Sequence, residues 1–177
     1  HARLTYGEVA ALLSGEKKGR DALMPHLQEL YRLFKQLLKQ RKRRGAVEFD
    51  TEETRIVFGK DGKIDRIIPT VRNDAHRLIE EMMLLANVSA ARFLLKAKIP
   101  ALYRVQDKPD IERLTALRDF LKAFSLRLTG GKEPTAMDYA KLLERIQDRP
   151  DKHLIQTVML RSMPQAMYDP INIGHFG

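Results

Sequence analysis

The chain has 177 residues, 44% of them hydrophobic, with a formal charge of +9 and no cysteine. That apolar content in one domain's length argues for a packed core rather than disorder, and the missing thiols exclude disulfides, thiolate zinc sites and a cysteine nucleophile. No run of about 18 apolar residues could span a bilayer and the first residues show no basic-then-apolar leader pattern, so a cytoplasmic protein without membrane contact is expected.

In chain order, "HARLTYGEVAALLSG" (1–15) reads as a short helix, and the capping-box spacing of Thr5 and Glu8 places Tyr6 in its first turn. "GEKKGRD" then breaks the pattern. Over 21–44, apolar residues at Leu23, Leu27, Leu30, Phe34, Leu37 and Leu38 predict an amphipathic helix stopped by Gly45. Its end is the most charged part of the chain. "YRLFKQLLKQRKRR" (31–44) holds seven positive charges and no negative one, leaving +2 (9 − 7) for everything else. Such a surface points to a polyanion or an acidic partner, or merely to cations complementing the negative end of a helix dipole.

"AVEFD" (46–50) reads as a short strand and "TRIVFGKDGKIDRIIP" (54–69) as an antiparallel hairpin turning at Asp61-Gly62. Asn73 is placed to cap a long helix reaching Lys96. "IPALYRVQD" reads as a strand, and helices follow over 109–124, 134–147 and 150–163, each opening near a proline, which suits the first helical position. Ile111, Leu114, Leu117, Leu121 and Phe124 form an apolar face on the first of these, while "YDPINIGHFG" has no regular pattern. The expected fold is α+β and mainly helical: a long central helix with a small antiparallel β region. No repeat or linker divides residues 1–177, which read as one partial domain. Beginning at His1 and stopping in "GHFG", the chain has the look of a piece of something longer.

Enzyme motifs are hard to find. There is no G-x-x-x-x-G-K-[ST], H-E-x-x-H or G-x-S-x-G, and His1, His26, His76, His153 and His175 lack ligand spacing. Metal-assisted phosphodiester hydrolysis needs several carboxylates converging on paired cations. The nearest clusters, "DKPD" (Asp107, Asp110) and "DRPD" (Asp148, Asp151), precede apolar-periodic helices and read as helix starts. No catalytic residue or metal ligand is therefore expected in the chain itself. The long helix is more informative. Asn73, Glu80 and Asn87 align on one face with Arg77 beside them, whereas Met82, Met83, Leu84, Leu85 and Phe93 make the other faces apolar and suggest a central position. The polar stripe faces either solvent or a polar cleft. Tyr6 and Phe49 are either packing aromatics or, where they face a nucleic acid, stacking platforms worth about 1–3 kcal/mol per base.

The segments "HARLTY", "GAVEFD", "NDAHRLIEEMMLLANVSAARFL", "PALYRVQDKP", "DRPDKHLIQTVMLRSMPQAMYDP" and "GHFG" run from end to end of the chain. Together they resemble the catalytic RNB domain of the ribonuclease II and ribonuclease R family, bacterial 3′→5′ exoribonucleases. "PALYRVQDKP" and "MLRSMPQAMYDP" are nearer the ribonuclease R branch. The resemblance implies an internal portion of a processive enzyme. Such an enzyme threads single-stranded RNA through a basic channel and releases nucleoside 5′-monophosphates with magnesium. Glu80, rather than Glu81, matches the glutamate that contacts the terminal sugar. Phe49 matches the phenylalanine that clamps the terminal base, and Tyr6 the tyrosine that helps set the position of the RNA end. Lys39, Arg41, Lys42, Arg43 and Arg44 are candidate contacts to the RNA backbone.

In that family the magnesium-binding aspartates precede the segment matching His1, and the catalytic arginine follows the one matching Gly177. The chain alone is thus expected to hold no Mg2+ and to be inactive. The parent is expected to be monomeric, and the piece to self-associate through open strand edges. Two other readings stay open: a stand-alone nucleic-acid-binding module using the basic helix end 39–44, and a helical domain that binds an acidic protein.

Overall fold

Capping chemistry sets most element boundaries. In the computed structural model, which describes residues 2–49 and 54–177, helix α1 (Tyr6–Ser14) begins where Thr5 Oγ1 accepts the Glu8 N–H at 3.2 Å, and Gly15 closes it. Helix α2 (Met24–Arg44) starts later than the periodicity suggests. The reason is a turn at Arg20, whose carbonyl accepts from the N–H groups of Leu23 and Met24. Gly45 ends α2 at φ +73, where a Cβ would lie 2.6 Å from Met137 Cα. Both the backbone conformation and the close approach demand glycine.

Strands β1 (Thr54–Phe58) and β2 (Ile64–Pro69) pair antiparallel, Thr54 opposite Pro69 and Val57 opposite Arg66, with a register shift after Val57. Gly62 takes φ +75 in the turn, and Asp61 Oδ1 accepts the Lys63 N–H at 3.2 Å. Helix α3 (Asp74–Lys96) is capped by Asn73, whose Oδ1 accepts from the N–H groups of Ala75 and His76 at 3.1 and 3.2 Å. Helices α4 (Ile111–Ala123), α5 (Ala136–Arg145) and α6 (Lys152–Ser162) follow strand β3 (Tyr103–Val105). Their prolines stand one place before the caps Asp110, Thr135 and Asp151 rather than inside the helices. Asp110 Oδ1 accepts the Arg113 N–H at 2.8 Å, whereas Asp151 is gripped by Arg149 through two 2.8 Å bonds.

Two readings of the β content are corrected. Residues 46–49 form no strand, and Asp50 lies outside the described residues. Val47 and Phe49 pack on the helical core while Glu48 faces out, so their alternation is that of an extended segment lying on helices. Conversely, the stretch that seemed patternless begins inside β4 (Met167–Asp169), which pairs antiparallel with β3, Tyr103 opposite Asp169. Beyond it, Gln106 collects the last residues. Its backbone bonds Gly174 O and Phe176 N–H, its Nε2 donates to Pro164 O at 3.0 Å, and its Oε1 accepts the Gly177 N–H at 2.9 Å.

The chain forms two compact units, one from residues 1–39 and 51–89, the other from 40–50 and 90–177. In the first, the buried apolar side chains are Leu12, Phe34, Ala75 and Leu78, drawn from α1, α2 and α3. The second has the larger core, in which Leu114, Leu117 and Leu121 of α4 meet Tyr139, Leu142 and Leu143 of α5 and Ile155 and Met159 of α6. Ile111, expected on the same face, is 81% exposed because it precedes the first inward turn of α4. Ser162 Oγ donates to Met159 O at 2.6 Å, so the buried Tyr139 hydroxyl donates to Ser162 at 3.3 Å. Burial raises the Tyr139 pKa. Helix α3 does not behave as an all-round buried helix. Only Ala75, Leu78 and Glu81 are buried, and Met83, Leu84, Leu85, Val88 and Phe93 are exposed. Apolar composition alone supplied no partner for those faces. Among the described residues no helix is long and apolar enough to cross a membrane.

Candidate functional site

The first turns of α3 gather the polar side chains of the first unit. Asn73 both caps the helix and lies 2.8 Å, through Oδ1, from His76 Nδ1. The Asn73 backbone N–H also reaches Nδ1, at 3.4 Å, so Asn73 holds this nitrogen in either tautomer: its oxygen accepts from a protonated Nδ1, and its N–H donates to a bare one. The His76 ring stacks on Tyr6, centroids 4.1 Å apart and planes 23° from parallel. Tyr6 remains 46% exposed. Asp74 accepts the Tyr31 hydroxyl at 2.7 Å, and that hydrogen bond, with burial second, raises the Tyr31 pKa. Arg77 lies 3.5 Å from the same carboxylate.

Glu80 stands one turn beyond His76 and is ion-paired with Arg72, both side chains about 40% exposed. At that exposure the pair contributes little stability, but it aims the carboxylate. Glu81, the next residue, is buried at 3% exposure. The stripe expected from sequence therefore divides: Asn73 is a cap, Glu80 is held by an arginine, and Asn87 is in solvent. Tyr6 and the His76–Glu80 face belong to the first unit, as does Lys39. Phe49 and residues 41–44 belong to the second, where Phe49 is half-buried against the helical core. Lys42 pairs with Glu144 at 3.1 Å, and Arg43 and Arg44 are exposed.

Chemically, the first unit offers an aromatic face, a carboxylate acceptor and an imidazole edge: stacking and hydrogen-bonding groups. The displaced pKa values elsewhere have structural causes. Lys17 holds Glu8 low, Thr129 and Thr135 hold Asp138 low, and Arg149 holds Asp151 low. Among the described residues no three His, Asp or Glu side chains form a group that could hold a metal ion. His76 and Arg72 escaped the sequence reading. The available signal was a histidine three residues after a capping asparagine, a spacing that returns its ring to the cap.

A family model described as "RNB domain" matches residues 1–177. Ribonuclease R of Vibrio cholerae is 53% identical over 180 residues, covering 100% of this chain and 22% of the relative. Ribonuclease R of Escherichia coli K12 is 52% identical with the same coverage. The solved structure of Mycoplasma genitalium RNase R in complex with ribose methylated single-stranded RNA matches with a TM-score of 0.91 at 25% identity, over 98% of this chain and 28% of that one. The chain thus spans about a fifth of the length of the curated relatives it matches.

Proposed function

Because this chain belongs to the RNB domain family, we propose that it is the substrate-positioning portion of a longer, processive 3′→5′ exoribonuclease of the ribonuclease R type. That enzyme hydrolyses single-stranded, and also structured, RNA to nucleoside 5′-monophosphates. The observation that carries the reading is the start of α3, where a half-exposed Tyr6 ring and an arginine-aimed Glu80 carboxylate occur on one unit. Glu80 can accept from a ribose 2′-hydroxyl, the group that separates RNA from DNA. Tyr6 and the uncovered side of Phe49 can stack on any base. Lys39 and residues 41–44 fit phosphate contacts.

Magnesium, when bound by the intact enzyme, supplies charge stabilisation and an activated water. The described residues offer no group of three His, Asp or Glu side chains that could hold it. In this reading the exposed Met83, Leu84, Leu85 and Phe93 are surface that other parts of the longer protein cover, since apolar patches of this kind mark contact sites. We place the parent in the cytoplasm as a monomer, and expect self-association of the isolated chain through its open strand edges.

The test uses the full-length enzyme carrying Glu80→Gln. A hydrogen bond to a charged group is worth about 1.5–3 kcal/mol, so turnover on RNA falls about 10-fold or more while the protein stays folded. Unchanged turnover removes Glu80 from the site. This chain alone, given single-stranded RNA and magnesium, yields no mononucleotides. Their release would overturn the view that it is only a positioning portion.

A further inference from the structure

We propose that His76 is a positioning residue that fixes Tyr6 as a one-faced stacking platform for RNA. The inference rests on the reading of Tyr6 as an RNA contact and adds what makes that contact rigid. A tyrosine in the first turn of a short helix, half exposed, would otherwise sample several side-chain rotamers. Here one face of its ring is covered by the His76 ring at 4.1 Å, nearly parallel. His76 is itself pinned, because its Nδ1 lies 2.8 Å from Asn73 Oδ1 and 3.4 Å from the Asn73 backbone nitrogen, and that oxygen is fixed by two backbone N–H groups at the start of α3. Rigidity therefore passes from a helix cap to the imidazole and from the imidazole to the phenol. A platform closed on one side admits one ring on the other. It also loses little conformational freedom when that ring arrives, which is how pre-organisation strengthens binding.

The ring supplies the contact with Tyr6, and the tie between Nδ1 and Asn73 holds that ring in place. Aromatic pairs of this kind correspond to about 2–12-fold in an equilibrium constant. In the full-length enzyme acting on single-stranded RNA, His76→Ala and His76→Gln should each raise KM by about 3–10-fold with kcat changed less than about 2-fold. His76→Phe keeps a ring over Tyr6 but loses the tie to Asn73, so it should raise KM less than His76→Ala does; a rise as large as that of His76→Ala would overturn the role of the ring contact. The decisive measurement is the cycle with Tyr6→Ala. If His76 acts through Tyr6, adding His76→Ala to Tyr6→Ala changes nothing further, because the ring to be positioned is gone.

Additive losses would overturn the proposal and give His76 a contact of its own. A Tyr6→Ala effect without any His76→Ala or His76→Gln effect would overturn the proposal and leave Tyr6 as an RNA contact. A Tyr6→Ala protein that is folded and unchanged in KM would overturn both. Thermal unfolding of each variant identifies those that fold, and His76→Gln, which retains a polar group near Asn73, replaces His76→Ala should the latter unfold.

Discussion

Single side chains here are most informative where several donors converge on one acceptor. Asp138 receives the Thr129 hydroxyl, the Thr135 N–H at 2.8 Å and the Thr135 hydroxyl at 2.7 Å, and these bonds, the Thr129 hydroxyl foremost, lower its pKa. A carboxylate lowered in the folded state stabilises it above the unfolded-state pKa and ceases to do so as pH falls through the folded-state value. Asp138→Ala should therefore cost about 1 kcal/mol at neutral pH, the scale of a helix cap. Urea unfolding should show that difference shrinking as pH drops below about 4. The candidate site was partly readable at this scale. Tyr6, Glu80 and the Asn73 cap stood out by spacing, but His76 and Arg72 did not. Tyr6 meets His76 only through the fold, and no local period registers a contact between residues so far apart in the chain.

Among the elements, boundaries set by caps and by the local hairpin were legible, and those set by pairing between distant segments were not. Thr5, Asn73, Asp110 and Gly45 act within a turn of their own position, so their chemistry is written locally. Strand β4 has only three residues, and its partner β3 lies far away in sequence. The extended segment at 46–49 shows the reverse error: inward–outward alternation without a ladder. Two glycines allow a contrast. Gly62→Ala meets open space at φ +75 and should cost about 1–2 kcal/mol of left-handed strain. Gly45→Ala adds a clash with the Met137 backbone at 2.6 Å and should cost more than about 2 kcal/mol. Denaturant midpoints of the two variants, side by side, check the order.

For the molecule as a whole, composition and charge indicated a folded, basic protein, and the charge sits where 31–44 placed it. The partition into two units was not visible, because two of its three divisions fall inside α2 and α3, where no linker composition marks them. The exposed Arg43 and Arg44 make the salt dependence of binding the useful observable at this scale. Were the chain a stand-alone module, its affinity for single-stranded RNA would fall by about 0.7 log units per phosphate contact for each tenfold rise in salt. Lys39→Glu with Arg43→Glu would then flatten that slope by roughly 1.4, and Glu80→Gln would leave it alone. In a positioning portion, Glu80→Gln weakens RNA handling in the full-length enzyme. Finally, Gln106 has a consequence that reaches past the last residue. Its side-chain amide bridges Pro164 O and the Gly177 N–H, a partner 71 residues away. In the longer protein proposed above, whatever follows Gly177 departs from an anchored point with its heading already set. Gln106→Leu should unfasten that anchor, seen as faster deuterium uptake at the Gly177 amide while the helical core keeps its protection.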